Sequence, residues 1–190
     1  AVAKGYKGVI LMGHGFGACK VVYYQAAAQD PRVLGVVAAS PDVKWRAEPD
    51  QIRLAAAMIE DGRGEELMSS AEGNPAWYRM SARTLLERAR IARHVFHSDQ
   101  VAPYVSRVKC PLLAFYGTEE AWCGGPEDLR GIVEKATLSP AVTTRMIEGA
   151  DHVYWGRAAE AAKVVAEWAD DLQARSGRLR LAKAHAARVA

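Results

Sequence analysis

The sequence predicts an α/β fold, a parallel sheet flanked by helices, with a helical insertion between two of its strands. Two observations predict it. Short apolar runs closed by glycine or Ser-Pro alternate with helical stretches, the pattern of strands joined by crossover helices. Those runs are apolar at successive positions, as strands covered on both faces are. Half of the 190 residues are apolar, enough to bury one sizeable core.

The elements follow in order. Gly8 to Met12 (GVILM) is a continuous apolar run ending in glycines, which predicts an interior strand. Phe16 to about Gln29 follows as a helix, stopped near Asp30-Pro31. Val33 to Ala39 is a second strand, closed by Ser40-Pro41-Asp42. Leu112 to Tyr116, introduced by Pro111, is a third. A fourth runs from Thr143 to about Ile147, before Gly149. The last helix is expected from about Arg157 to Ala174, with Ala161, Val165, Trp168 and Leu172 as its apolar face. That stripe is core.

Between the second and third strands, Gln51 to Met68 and Met80 to His94 read as helices separated by a Gly73-Asn74-Pro75 break. An excursion of this length is too large for a plain connection and predicts a cap over a pocket. The organisation expected is therefore a core of 1–45 and 105–174, a cap of 46–104 and a basic tail of 175–190.

Composition excludes several classes. The net charge of +3 does not suggest nucleic acid. Its excess sits in Arg175, Arg178, Arg180, Lys183 and Arg188, a solvated helical tail, or in a sharper reading a basic helix docking on a partner. No apolar run reaches the roughly 18 residues of a membrane span, so no membrane association is expected. Cys19, Cys110 and Cys123 are odd in number without close metal-ligand spacing, which points to a reducing, cytoplasmic setting. The chain shows no signal-peptide pattern. It lacks an initiator methionine and enters a strand almost at once, so a preceding segment or companion chain is expected; a homo-oligomer is also open.

Gly13-His14-Gly15-Phe16-Gly17-Ala18 fits two templates. One is the dinucleotide fingerprint G-x-G-x-x-G/A. The other is the nucleophile elbow G-x-S-x-G with its central residue altered. A dinucleotide site also needs an acidic residue about 20 positions on, at the next strand's end, to hold a ribose. The only acidic neighbour there is Asp42, beyond Ser40-Pro41, a poor match. An elbow needs a histidine base and a carboxylate to orient it, in the order nucleophile, acid, histidine. Gly117-Thr118-Glu119-Glu120 follows the third strand and Gly149-Ala150-Asp151-His152 the fourth. Strand-end loops are where an open parallel sheet builds its site.

On these residues the chain resembles the α/β-hydrolase superfamily from the elbow strand to the final helix. GHGFGACK resembles the GHSxG elbow, PLLAFYGTEE the strand leading to the acid, and MIEGADHVYWG the histidine loop. The resemblance implies an α/β-hydrolase fold lacking its N-terminal strands. It implies His152 as base, Glu120 as acid (Glu119 or Asp42 as alternatives) and Gly15 at the nucleophile position. Asp151 is expected to brace its own loop. The backbone N–H of Phe16 would supply half of an oxyanion hole; the upstream loop that normally gives the other half is not in this sequence, so the chain alone should be a poor catalyst. His14 is expected as polar support beside the substrate, and Trp122, Tyr154 and Trp155 as an aromatic wall. Trp45, Trp77 and Tyr78 lie in or near the cap.

Glycine at position 15 cannot form an acyl-enzyme, and neither Cys19 nor Ser40 obviously replaces it. Three explanations stand. The first is a serine hydrolase of esters or related acyl compounds, inactivated at position 15. The second is a relative that lost hydrolysis and kept its pocket as a binding or sensor protein. The third is a fold member, such as a lyase or cyclase, whose chemistry needs only His152 and a carboxylate. A small molecule with an acyl or carbonyl group is the expected partner, with no metal or organic cofactor implied.

Overall fold

The computed structural model describes residues 2–68, 80–97 and 102–189; side chains at position 2 and from 176 onward lie outside the description. The Gly73-Asn74-Pro75 break, Trp77, Tyr78 and the basic side chains of Arg178, Arg180, Lys183 and Arg188 therefore fall outside it. Four strands, β1 (Val9–His14), β2 (Val33–Ala39), β3 (Leu112–Gly117) and β4 (Val142–Ile147), form one sheet in the order β1-β2-β3-β4. Every pairing is parallel, with Val37 opposite Leu113 and Leu113 opposite Thr143. All four strands thus end at the same edge of the sheet.

The apolar runs divide between the two faces with the period of two that a pleated strand imposes. Val36, Ala38, Leu112, Ala114 and Tyr116 face a core completed by α1 (Phe16–Ala28) and α4 (Pro126–Lys135). Val37, Ala39, Leu113, Phe115 and Ile147 face the opposite side, packed on Trp168, Val165 and Leu172 of α5 (Ala158–Val189). Helix α1 ends at Gln29, whose left-handed backbone lets its N–H reach the Gln25 carbonyl.

The first helix of the insertion is shorter than the expected Gln51 to Met68. Helix α2 spans Pro49–Glu60, started by a capping box between Glu48 and Gln51. It stops at Asp61-Gly62, where Gly62 has φ +78°, instead of running to Met68. Helix α3 (Ala82–Val95) begins on the Ser81 side chain, which accepts from the Thr84 N–H. Ala55, Met58, Met68, Ala82 and Leu85 make a small core of the insertion's own. At the other end of the chain, α5 runs unbroken from 158 to 189. It passes the helix end expected at about Ala174 and continues through the segment expected as a helical tail. Among the described residues no helix is long and apolar enough to cross a membrane.

Candidate active site

Strand β1 ends at His14 and α1 starts at Phe16, so Gly15 alone turns the chain from strand to helix. It does so at φ 56°, ψ −125°, a conformation costing a side-chain-bearing residue about 1–3 kcal/mol. Its N–H donates to Ala39 O (3.0 Å), and its carbonyl accepts from Ala18 (3.1 Å) and Asp42 (3.4 Å). The turn also explains Gly13. A Cβ there would lie 2.1 Å from Gly17 O, so only glycine lets strand and helix approach this closely. Phe16 is the first residue of α1, and a helix offers its first N–H groups no internal acceptor.

The loop after β4 brings His152 across the end of the sheet. Its Nε2 lies 3.4 Å from where a Cβ on Gly15 would stand. Its Nδ1 lies 3.0 Å from Glu120 Oε2, with Glu120 only 1% and His152 20% exposed at the side chain. A buried carboxylate on Nδ1 fixes the imidazole so that Nε2 faces the elbow. His14 donates from Nε2 to the His152 carbonyl at 2.7 Å, and the two rings sit 4.6 Å apart. Asp151 accepts the N–H groups of Val153 (3.1 Å) and Trp155 (2.9 Å). That turn is what aims the imidazole.

Solved structures share this arrangement of strands and helices. The Paleococcus ferrophilus monoacylglycerol lipase matches with a TM-score of 0.61 at 21% identity, over 88% of this chain and 70% of that one. The α/β hydrolase GrgF from Penicillium sp. sh18 matches at 0.58 and 16% identity, over 88% and 63%. Est1E from Butyrivibrio proteoclasticus matches at 0.56 and 16% identity, over 88% and 62%. The chain has the α/β-hydrolase fold. It spans 62 to 70% of the length of these three structures. No family profile and no curated protein sequence matches it.

Within the α/β-hydrolase fold, the other expected residues separate. Glu119 is exposed. Asp42 is engaged elsewhere: its carboxylate takes the Arg88 guanidinium at 2.5 Å and the Trp45 N–H at 3.2 Å. Neither competes with Glu120 for the histidine. Trp122 is 61% exposed with its ring 6.0 Å from His152, and Trp155 is 84% exposed. Tyr154 corrects the expected aromatic wall. It is buried, its ring tilted against Phe115 with centroids 5.6 Å apart, and its hydroxyl meets Ser40 Oγ at 2.8 Å. Both residues have left-handed backbones, Ser40 at φ 40° and Tyr154 at φ 58°. Burial, the largest effect, pushes the Tyr154 phenol up to about 12, so it is a neutral structural hydroxyl. His14 is likewise spent on the histidine loop.

Two groups escaped the sequence. The first is Cys123, buried three residues beyond Glu120, with Sγ 4.0 Å from His152 Nε2. Its thiol is pushed up, chiefly by burial and then by the Asp42 and Glu120 carboxylates. A neutral buried thiol is not an activated nucleophile, so Cys123 does not take the place of serine. The second is Arg88, which reaches from α3 to Asp42 with its guanidinium between the rings of Phe16 (4.4 Å) and Trp45 (4.1 Å). Both carried a faint signal: Glu120 and Cys123 have a two-residue spacing, and Arg88 falls on the Leu85, Ala92, Val95 stripe of α3.

Proposed function

We propose that this chain carries the acid–base half of an ester hydrolase, with its nucleophile seat vacated at Gly15. One observation carries the proposal: a side chain at position 15 would start 3.4 Å from His152 Nε2, while Glu120 holds Nδ1 at 3.0 Å. With serine there, His152 would take the hydroxyl proton and the oxygen would attack a carbonyl. The Phe16 N–H would steady the oxyanion, and water would release the acyl group. As glycine, the site would hold a small acyl or carbonyl compound without cleaving it, beside the exposed rings of Trp122 and Trp155.

The test is Gly15→Ser in the full-length protein. A fluorophosphonate should label position 15, and p-nitrophenyl acetate should turn over. Adding His152→Ala should lower turnover at least about a thousandfold. A folded Gly15→Ser protein that is neither labelled nor active refutes the proposal. The glycine itself favours a second reading, in which His152 and Glu120 move protons in a lyase or cyclase reaction with no covalent step. Turnover by the Gly15 protein that His152→Ala abolishes would select it.

A further inference from the structure

We propose that the cleft between the helices of the insertion and the chain leaving β2 binds a small organic carboxylate. The cleft holds about 520 Å³ and is lined by Trp45, Arg46, Ile52, Arg93, His94 and His97, a size that suits a small molecule. Ile52 comes from α2, Arg93 and His94 from α3, and Trp45 and Arg46 from the chain after β2. Three segments therefore converge on it. Among the described residues its lining carries two arginines and two histidines but no carboxylate, and neither Gly15 nor His152 takes part.

The arginines set the charge of the ligand. On α3, Arg83 pairs with Glu65, Arg88 with Asp42 and Arg90 with Glu87. Arg93 follows on the same helix, is exposed, and among the described residues pairs with no carboxylate. Arg46 donates from one terminal nitrogen to the carbonyls of Val43 (3.0 Å) and Trp45 (2.8 Å). Those bonds orient its guanidinium and leave the other N–H groups for an incoming anion. A guanidinium offers a planar fork of donors that fits a carboxylate with two parallel bonds. Lys135 adds an ammonium behind the cleft, donating to His97 Nδ1 at 3.1 Å. Asp128 comes within 3.9 Å of His97 Nε2, but it already accepts the Gly125 N–H at 2.9 Å and pairs with Lys44 at 3.6 Å.

Trp45 and Ile52 supply apolar surface for the body of the ligand, and the Trp45 ring is held by Arg88 at 4.1 Å. An acid with a small aromatic or aliphatic body therefore suits the cleft better than an inorganic ion. Arg93 and His94 also stand in the last turn of α3, where cations offset the negative end of a helix. That role alone would produce no ligand binding, so the two readings part on one measurement.

Benzoate, titrated calorimetrically into the full-length protein at low ionic strength, should bind with one equivalent, and its neutral isostere benzamide should not. Arg93→Gln should weaken benzoate at least about tenfold, the worth of a charge-assisted hydrogen bond. Its side chain strands no partner, so the variant should fold; Arg46→Gln should weaken binding similarly. Arg90→Gln, on the same helix but paired with Glu87, and His152→Ala should each leave affinity within about twofold. Absence of saturable binding, equal binding of benzamide, or an Arg93→Gln effect no larger than that of Arg90→Gln overturns the proposal. Loss of binding in His152→Ala also overturns it, by moving the carboxylate to the site at Gly15. The proposal does not rest on the hydrolase reading: the titration uses no substrate, so failure of Gly15→Ser leaves it standing, and the reverse also holds.

Discussion

Replacing Arg88 by methionine should cost about 3–5 kcal/mol, because it leaves the Asp42 carboxylate buried without its cation. Arg88 and Asp42 are 8% and 9% exposed at the side chain, so water can replace little of what is lost. Methionine preserves most of the stem packed against Phe16 and Trp45 but removes the cation over both rings, worth about 1–2 kcal/mol more where desolvated. Against a total stability of about 5–15 kcal/mol, the loss is large. Adding Asp42→Asn should return much of it, since the stranded charge disappears. Urea unfolding of the two single variants and the double variant gives the coupling directly. A single Arg88→Met loss below about 1 kcal/mol, or additive losses in the cycle, would refute the idea that a buried ion pair pins the cap helix to the elbow.

Gly13→Ala should destabilise by about 3 kcal/mol or more, since the added carbon meets Gly17 backbone at 2.1 Å and 2.3 Å, which no rotamer relieves; thermal unfolding measures it. Tyr154→Phe should cost about 1–2 kcal/mol by stranding the buried Ser40 hydroxyl, read in the same way. All three described thiols are buried and pushed up, Cys110 to about 11 and Cys19 to about 12, by burial above all. A thiol reagent at pH 8 should therefore react only on unfolding. The raised thiols favour the folded state below the unfolded pKa of about 8.5. As pH climbs from there toward 11–12, each should remove about 1.4 kcal/mol per pH unit. Cys19→Ala should flatten that fall in urea midpoints.

The strands β1 to β3 were legible because each is a short apolar run bounded by glycine or proline; β4, with Thr143, Thr144 and Arg145, was legible from its place between Pro140 and Gly149, and parallel order follows from alternation with helices. Gly15, Glu120 and His152 were legible because each sits just past a strand end, where chain order alone implies proximity. Helix ends were less so: the reading to Met68 passed over the Asp61-Gly62 stop that ends α2, and α5 continues past Ala174 straight through Gly177, a residue that weakens a helix without ending it here. Tyr154 looked like a ligand contact because it neighbours His152 in sequence. A left-handed backbone turned it into the core instead. Arg88, among Arg83, Glu87 and Arg90, gave no sign of burial by its type; only its helical phase with Leu85, Ala92 and Val95 places it inward. Cys123 carried only its spacing from Glu120, and its closeness to His152 depends on how two loops fold over each other.

The hydroxyl contact between Ser40 and Tyr154 has a further consequence. It joins two chain positions 114 residues apart, each in a backbone conformation that carries an energetic penalty for a non-glycine residue. Whatever that penalty, it is met during folding and not when a ligand arrives. The backbone of the histidine loop is therefore set at Tyr154 before any ligand enters, and ordering on binding falls to the exposed side chains of Val153 and Trp155.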